Sequence, residues 1–496
     1  MPVKLSSRVR MEKDSLGRKA VPAAAYFGIQ TQRAVENFPI SGFRAPSVFI
    51  EAMARIKRAA ARANRRLGLL DRKRAAAIVA ACDEILTGKH HDEFVVDVFQ
   101  MGAGTSFHKN MNEVLANRAE ELLGGRKGRY GIVHPNDHVN MGQSTNDVYP
   151  TAMRLAALAL LHGRLAPALD EFAGALGRKG REFDGVLKSG RTHLQDAVPI
   201  RLGQEFAAYA AAVRKSAAAV DRAARSLREL GIGGSAVGTG LNTDRRYAGL
   251  MVRLLAADTG LPLKGAADLR EAMQSLRPFA EVSSSLRNLA LELNRIANDL
   301  RLLASGPRTG LAEISLPASA PGSSIMPGKV NPSLLEMLNQ VCYQVLGCDL
   351  AVGAAVQAGQ LELNVMMPVV NFNVLFMITI LANALREVRA RAIEGIRADA
   401  ARCRMYAEAS LGLVTAVSPV IGYAAAAAAA EEARRTGRPV AVILLERGIL
   451  DKATLSRLFD PTAMTEPGTL GRRVGRVNGG RVRGRVRGRA SVFKRK

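Results

Sequence analysis

The sequence predicts a mainly α-helical protein built around five long helices. The 496 residues contain no tryptophan and only 5% aromatic residues, while alanine and leucine are abundant, and this composition favours helix. Apolar residues also recur at helical steps over long stretches, and a 3.5-residue period is typical of helices packed in a bundle. A chain of this length can hold several domains and a large buried core.

The clearest periodic stretch runs from Val282 to Leu303, and a second one runs from Leu202 to Val220 with alanines between the larger residues. In the first, steps of four and three separate Val282, Leu286, Leu289, Leu293, Ile296, Leu300 and Leu303. The other long amphipathic stretches are 147–176, 333–356 and 374–396. We expect these seams to exceed what one chain can cover, so that helices of several subunits pack together in a homo-oligomer.

Changes of pattern divide the chain into four predicted segments. Residues 1–143 are mixed but mainly helical, 144–400 form the helical bundle domain, and 401–470 form a small helical unit. Residues 471–496 carry nine arginines, two lysines and no acidic residue, which predicts a disordered basic tail. Contact of this tail with nucleic acid or another polyanion is no better supported than a solubilising role.

Targeting and redox signals indicate a cytoplasmic protein without membrane contact. No segment has the uninterrupted apolar length of a membrane span, and the charged first 19 residues lack the apolar core of a signal peptide. The cysteines show no Cys-x-x-Cys spacing, and their apolar helical context predicts buried, reduced thiols rather than a disulfide or zinc framework. They are Cys82, Cys342, Cys348 and Cys403.

The segment Pro321–Pro332 is the most informative part of the chain for function. Its three prolines and two glycines exclude continuous helix or strand. Asn331 followed by Pro332 predicts a helix start, with Asn331 as the cap and proline at the first helical position. The segment also carries two serines and Lys329, which favours a mobile catalytic loop, although an ordinary Gly/Ser/Pro surface loop is the alternative.

Three other clusters of small hydroxyl and amide residues interrupt the apolar pattern: Gly102–Ser106, Gln143–Asp147 and Gly190–Asp196. Each is predicted to lie at or near a helix N-terminus, where such residues are favoured for stability alone. Together with Lys329 they predict a pocket for a small anion with two carboxylates. The chain has no Walker loop, no dinucleotide fingerprint and no acidic metal cage, so we expect no metal site.

These four segments resemble the aspartase/fumarase superfamily, whose closing sequence block is similar to residues 322–331. The likeness extends from residue 12 to residue 450 and leaves out only the basic tail. Residues 134–141, 143–147 and 359–366 are more similar to aspartate ammonia-lyases than to class II fumarases. The latter tend to carry a second serine where this chain has Thr145 and a phenylalanine near Met366.

The resemblance implies a fold of three mainly helical domains in which the central five-helix bundles of four subunits form a twenty-helix core. Each active site of such a homotetramer is assembled from three chains. The implied reaction is the reversible anti-elimination of ammonia from L-aspartate, which gives fumarate through an aci-carboxylate intermediate. The resemblance implies no cofactor and leaves open whether a divalent cation activates the enzyme.

The resemblance also assigns roles to individual residues of the predicted site. Ser323 is implied as the general base, and Glu336 as the carboxylate partner of His193. The remaining residues are implied to bind the small dicarboxylate substrate: Thr105, Ser144, Thr145, Asn146, Thr192, Ser324, Lys329 and Asn331.

Two departures from the superfamily pattern affect the expected specificity. The family usually has Asn-Met-Asn where this chain has His108-Lys109-Asn110, which places an extra potential cation near the substrate pocket or its adjacent carboxylate site. Gly142 replaces a common serine or cysteine. One alternative function within the superfamily is class II fumarate hydratase, which acts on malate and fumarate by the same type of elimination. Another is a non-catalytic binding protein that keeps the lyase scaffold and contacts nucleic acid through its tail.

Overall fold

A computed structural model describes residues 8–468 and 470, and over this part the chain is mainly helical, as predicted. The predicted tail, residues 471–496, lies outside the described residues. In chain order the helices are α1 Ile29–Asn37, α2 Ser47–Arg66, α3 Arg72–Leu86, α4 Thr105–Leu122, α5 Thr145–Leu160, α6 Ala166–Glu182, α7 Leu202–Ala224, α8 Tyr247–Thr259, α9 Leu269–Gln274, α10 Arg277–Leu303, α11 Ser333–Gln357, α12 Met367–Arg391, α13 Ala400–Ala409, α14 Val414–Ile421, α15 Tyr423–Thr436, α16 Val440–Glu446, α17 Lys452–Leu458 and α18 Pro461–Thr465.

Short strands pair in four two-stranded sheets within the described residues. The strands are β1 Val9–Asp14, β2 Gly17–Pro22, β3 Leu187–Thr192, β4 Gln195–Arg201, β5 Glu229–Leu230, β6 Lys264–Gly265, β7 Ile314–Ser315 and β8 Arg397–Ala398. The β1–β2, β3–β4 and β7–β8 pairs are antiparallel, whereas β5 and β6 are parallel. The sequence predicted none of these pairs, because they are short and lack a long apolar alternation.

The five predicted long helices are all present. The first is α5 continued through a π-helical turn, Leu161–Leu165, into α6, and the others are α7, α10, α11 and α12. The apolar seam of α10 is buried as its spacing indicated. Leu303 is 7% exposed, and the other six seam residues are at most 1% exposed: Val282, Leu286, Leu289, Leu293, Ile296 and Leu300.

The expectation that one chain cannot cover these seams is wrong. The seam of α10 is already buried within the single chain, where α11 lies against it and Asn339 Nδ2 donates a hydrogen bond to Asn294 Oδ1 at 2.7 Å. Packing between subunits would therefore use other faces of these helices.

Contacts divide the described chain into two units. Unit 1 contains residues up to 175, 209–302 and 317–395, and unit 2 contains 176–208, 303–316 and the chain from 396 onward. The domain boundaries predicted at residues 143 and 400 stay a prediction.

In unit 1, α2 packs on α3, α5 and α8, and α11 packs along α12. The carboxylate of Glu113 on α4 caps the start of α1, accepting hydrogen bonds from the backbone N–H groups of Gly28, Gln30 and Thr31 at 2.8–3.0 Å. Glu113 is 3% exposed, and burial raises its pKa. Buried polar side chains thus join the N-terminal helices to α4, which leads into the predicted site.

In unit 2, a buried ion-pair cluster anchors β3. Lys188 Nζ lies 2.9 Å from Glu313 Oε2 and 2.8 Å from Glu205 Oε1, and Arg191 Nη1 lies 2.9 Å from Glu313 Oε1. Glu313 is fully buried and has two cationic partners, as a buried charge requires. Helices α14 to α17 enclose a separate apolar core that includes Val417, Ile443, Leu444 and Leu458.

One helix contradicts the expectation that no segment has the length and composition of a membrane span. The helical stretch Met367–Gly395 meets that test, with a mean hydropathy of 1.7 in its most apolar window, but 67% of this window is buried inside the chain. It packs against α5 and α11, as a core helix does. The cysteines are free and buried in the described structure, as predicted.

Candidate active site

The predicted site residues lie in three places. The α4–α5 corner contains Thr105 and residues 144–146, the serine loop is Pro321–Pro332 followed by Glu336 on α11, and the histidine hairpin is β3–β4 with Thr192 and His193 at its tip. The first two places belong to unit 1 and the third to unit 2. None of the four cavities described is lined by any of the predicted residues.

At the α4–α5 corner, a capping box starts α5, which confirms the predicted helix start there. Ser144 Oγ accepts a hydrogen bond from the Asn146 N–H at 3.3 Å, and Asp147 Oδ1 accepts one from the Ser144 N–H at 2.9 Å. Asp147 Oδ2 accepts two more, from the N–H groups of Gly233 (3.0 Å) and Ser235 (3.2 Å). Asp147 is fully buried, and this burial raises its pKa to about 6 despite these bonds.

Thr145 at the head of α5 contacts a buried histidine. Thr145 Oγ1 lies 2.7 Å from Nδ1 of His108, which is 2% exposed. Burial, together with the nearby Lys57 and Lys109, holds the pKa of His108 well below its usual value, so the imidazole is neutral. Of the two basic residues in the departure from the superfamily pattern, His108 therefore adds no positive charge beside Thr145. Lys109 instead lines a cavity of about 410 Å³ together with Arg33.

Glycine at position 104 allows α4 and α5 to begin close together. Ala103 and Gly104 have φ angles of 59° and 79°, and they turn the chain directly into Thr105. A Cβ on Gly104 would lie 2.1 Å from a ring carbon of Tyr149, which is on the first turns of α5. Thr105 Oγ1 donates to Gly102 O at 3.2 Å in this arrangement.

The serine loop is closed on itself by backbone hydrogen bonds. The Gly322 N–H donates to Lys329 O at 3.0 Å, and a Cβ on Gly322 would lie 2.3 Å from that same oxygen. Within the loop, Ser323 Oγ accepts hydrogen bonds from the backbone N–H groups of Ile325 (3.2 Å) and Met326 (3.0 Å). The Ser323 oxygen therefore faces two fixed donors.

The prediction that Asn331 caps α11 is wrong. Helix α11 begins at Ser333 after Pro332 and has no side-chain cap. Asn331 Nδ2 instead donates to Gly322 O at 2.7 Å, because the closed loop turns this carbonyl towards it. Glu336 in the first turn of α11 lies 3.9 Å from Arg301, and its pairing with His193 stays a prediction.

The histidine hairpin corrects another expectation, because its polar residues do not lie at a helix N-terminus. Thr192 pairs with Gln195 across the hairpin, and α7 begins only at Leu202. His193 and Leu194 at the tip have φ angles of 56° and 58°, a left-handed conformation that costs energy for residues with a Cβ. Both side chains are exposed, and backbone strain of this kind clusters at functional sites.

Sequence reasoning missed Lys57, which is fully buried in α2. Helical spacing could have revealed this burial. Lys57 lies four residues after Met53 and three before Ala60, on the face of α2 where both of these apolar residues are 0% exposed. Burial lowers the pKa of Lys57 to about 7, while the Asp147 carboxylate opposes this shift. Within residues 8–468 and 470, no group of three or more His, Cys, Asp or Glu side chains is placed to hold a metal ion.

Comparison with known proteins identifies the class. The family model described as "Lyase" matches residues 17–347, and the model described as "Fumarase C C-terminus" matches residues 413–466. The chain belongs to this lyase family, the aspartase/fumarase superfamily.

Relatives within the family are more specific. The chain is 49% identical to the aspartate ammonia-lyase of Bacillus subtilis over 463 residues, which cover 93% of this chain and 97% of the relative. It is also 48% identical to a class II fumarate hydratase of Halobacterium salinarum, over 94% of this chain and 99% of the relative. A solved structure described as fumarate lyase:delta crystallin from Brucella melitensis bound to cobalt matches with a TM-score of 0.91 and 49% identity, over 93% of this chain and all of that chain.

Gly104→Ala should destabilise the protein by roughly 2–4 kcal/mol, because it combines a left-handed backbone strain with overpacking against Tyr149. Gly68→Ala is the matched control: Gly68 has nearly the same φ of 77°, but no atom lies within 4 Å of the position that its Cβ would take, so only about 1 kcal/mol of strain is expected. Urea unfolding followed by circular dichroism measures both. Equal losses of unfolding free energy in the two variants would show that the contact with Tyr149 does not require glycine at position 104.

Proposed function

We propose that this protein catalyses the reversible deamination of L-aspartate to fumarate and ammonia, as a carbon–nitrogen lyase. The relatives named aspartate ammonia-lyase, at 46–50% identity over most of the chain, support this activity. The observation on which the proposed mechanism rests most is the Ser323 oxygen, which accepts hydrogen bonds from two backbone N–H groups of the serine loop.

The difficult step is removal of a weakly acidic proton from the carbon beside the β-carboxylate. A serine hydroxyl is a poor base at neutral pH unless its alkoxide is stabilised. The N–H groups of Ile325 and Met326, aimed at Ser323 Oγ, supply that stabilisation, and Lys329 on the same loop adds positive charge. Ser323 is therefore the proposed general base, delivered by closure of the serine loop over bound substrate.

The aci-carboxylate intermediate carries two negative charges on the β-carboxylate oxygens and requires several donors. Thr105, Ser144 and Thr145 lie at the N-termini of α4 and α5, where free N–H groups and the helix dipole favour an anion. Ser324 on the serine loop adds another hydroxyl. Thr105 gives up its bond to Gly102 O when the carboxylate arrives. Such preorganised donors stabilise the transition state more than the substrate.

The other end of the substrate is bound by charged and amide groups. Lys329, Asn331 and Thr192 are proposed to hold the α-carboxylate. Asn331 uses one amide hydrogen on Gly322 O and keeps the second for the substrate.

The amino group is proposed to lie between Asn146 and His193, with Glu336 orienting the histidine ring. Asn146 Nδ2 donates to Ala236 O at 2.8 Å, and its Oδ1, which has no donor among the described residues, can accept from an ammonium group. We propose that these side chains suffice without a cofactor.

We further propose a cytoplasmic homotetramer whose active sites combine residues from three chains. Large apolar side chains are exposed on the bundle helices, which supports burial against other subunits. Leu291 on α10 is 50% exposed, Tyr343 and Leu350 on α11 are 54% and 77% exposed, and Phe376 on α12 is 37% exposed. Placement of the proposed residues in three separate places of the chain also favours sites shared between subunits.

The activity is tested by following fumarate absorbance with L-aspartate and, separately, with L-malate. The alternative function is class II fumarate hydratase, favoured by the Halobacterium salinarum relative, in which water rather than ammonia is eliminated. We expect faster turnover of L-aspartate. A higher kcat/KM for L-malate would replace the proposed activity with the alternative.

Ser323→Ala should lower kcat by several orders of magnitude while the oligomer persists, because alanine provides no base. Lys329→Ala should mainly raise KM, since it removes a charge that binds the carboxylate in both ground and transition states. Steady-state kinetics and size-exclusion chromatography distinguish these effects. Near-normal turnover of Ser323→Ala would remove that residue from the base role.

Mixed oligomers test whether active sites are shared. Ser323→Ala and His193→Asn subunits, each expected to be inactive alone, should recover up to about a quarter of wild-type activity when refolded together. About a quarter of the sites then take an intact Ser323 from one variant and an intact His193 from the other. The matched control mixes Ser323→Ala with Lys329→Ala, two substitutions on the same loop, and its kcat/KM should not exceed the share contributed by the Lys329→Ala subunits alone. Failure of the first mixture would contradict a site shared between the serine loop and the histidine hairpin.

A further inference from the structure

A buried line of three side chains leads from α2 to the head of α5. Lys57 Nζ lies 2.6 Å from His108 Nε2, and His108 Nδ1 lies 2.7 Å from Thr145 Oγ1. Lys57 is 0% exposed and His108 is 2% exposed, so water does not complete their hydrogen bonds. We call this line the lysine–histidine relay.

The other partners of Lys57 both present oxygen atoms. Lys57 Nζ lies 3.0 Å from Asn140 Oδ1 and 3.0 Å from Gln143 Oε1. Flipping either side-chain amide to exchange its oxygen and nitrogen would break a hydrogen bond. Asn140 Nδ2 donates to Gln143 O (3.2 Å), and Gln143 Nε2 donates to Val139 O (3.0 Å). Lys57 thus uses two of its three protons on amide oxygens and has one left for His108.

This arrangement determines the tautomer of His108. Below its pKa of about 7, Lys57 is an ammonium group, the form that the nearby Asp147 carboxylate favours. An ammonium group has no lone pair, so in this form the ring nitrogen facing Lys57 must accept and carries no proton. A neutral imidazole then carries its only proton on Nδ1 and donates it to Thr145 Oγ1. Since the Thr145 oxygen already accepts this bond, the hydroxyl proton of Thr145 is directed away from His108.

We propose that Lys57 and His108 are positioning residues that keep the Thr145 hydroxyl as a hydrogen-bond donor towards the β-carboxylate of the substrate. This inference rests on the proposed function, since it concerns the carboxylate that gains charge in the elimination. With the opposite tautomer, His108 Nδ1 would accept the Thr145 proton and the hydroxyl would turn an oxygen lone pair towards a dianion. The relay therefore preorganises one of the donors on which the reaction depends.

The test compares His108→Leu with His108→Asn, two side chains of nearly equal shape. Asparagine Nδ2 can occupy the place of Nδ1 and donate to Thr145, whereas leucine cannot, and both variants leave Lys57 equally without its ring partner. We expect His108→Leu to lower kcat/KM for L-aspartate about 10- to 100-fold, the loss typical of a hydrogen bond to a charged group, and mostly through kcat. His108→Asn should recover most of this loss.

A double-mutant cycle with Thr145→Val shows whether His108 acts through Thr145. If it does, His108→Leu should cost little further activity in the Thr145→Val background. Val114→Ala controls for destabilisation, because Val114 is fully buried on the same helix α4 but has no polar group to contribute. It should lower the melting temperature and leave kcat/KM of the folded enzyme unchanged.

Three outcomes would overturn the inference: wild-type kinetics in His108→Leu, equal losses in the leucine and asparagine variants, or additive losses in the cycle. Failure of the proposed function is a different result, seen as absent turnover of L-aspartate by the wild type. If L-malate is the substrate instead, the same cycle is measured with L-malate, since that substrate carries an equivalent carboxylate. Should His108→Leu not fold, Lys57→Met provides the second variant, and its kcat loss should vanish in the Thr145→Val background.

Discussion

The conformation at the N-terminus of α5 depends on one constraint: every buried polar group there needs a hydrogen-bond partner. Lys57 and Asp147 are both fully buried, so each of their polar atoms must be satisfied by protein groups rather than by water. Their partners are side-chain amides and backbone N–H groups of the segment 140–147 and of Gly233 and Ser235. Because moving any one of these groups would leave a buried charge without a partner, the segment has one favoured conformation, and the Thr145 hydroxyl lies at its end.

A second constraint is the absence of side chains where two backbones must meet. Gly104 allows the starts of α4 and α5 to approach, and Gly322 allows the serine loop to close on Lys329 O. In both places a Cβ would lie closer than 3.0 Å to its neighbour. His193 shows the opposite case, since a residue with a Cβ takes a left-handed conformation at an exposed hairpin tip. Backbone strain of this kind is concentrated at functional sites, which makes the hairpin tip a candidate for mutagenesis.

The periodic patterns predicted helices well because helix formation along the bundle depends on local spacing. The seam residues of α10 are buried, and the capping box at Ser144 follows from four consecutive residues. The premise that one chain cannot cover the seam of α10 was wrong, however, because spacing shows that a face is buried and not which helix covers it. In this chain α11 lies against α10, and the exposed apolar residues that favour an oligomer lie on other faces.

The sequence by itself determined the five long helices, the polar clusters and, through long matching segments, the superfamily, since all of these are carried by residues close together in the chain. Only the tertiary structure decided that Asn331 closes a loop instead of capping α11, that His193 lies on a hairpin, and that Lys57 faces His108. Lys57 and His108 are 51 residues apart. Their hydrogen bond depends on how α2 packs beside α4, because the choice of partner for a buried donor is made by the whole fold and not by neighbouring residues.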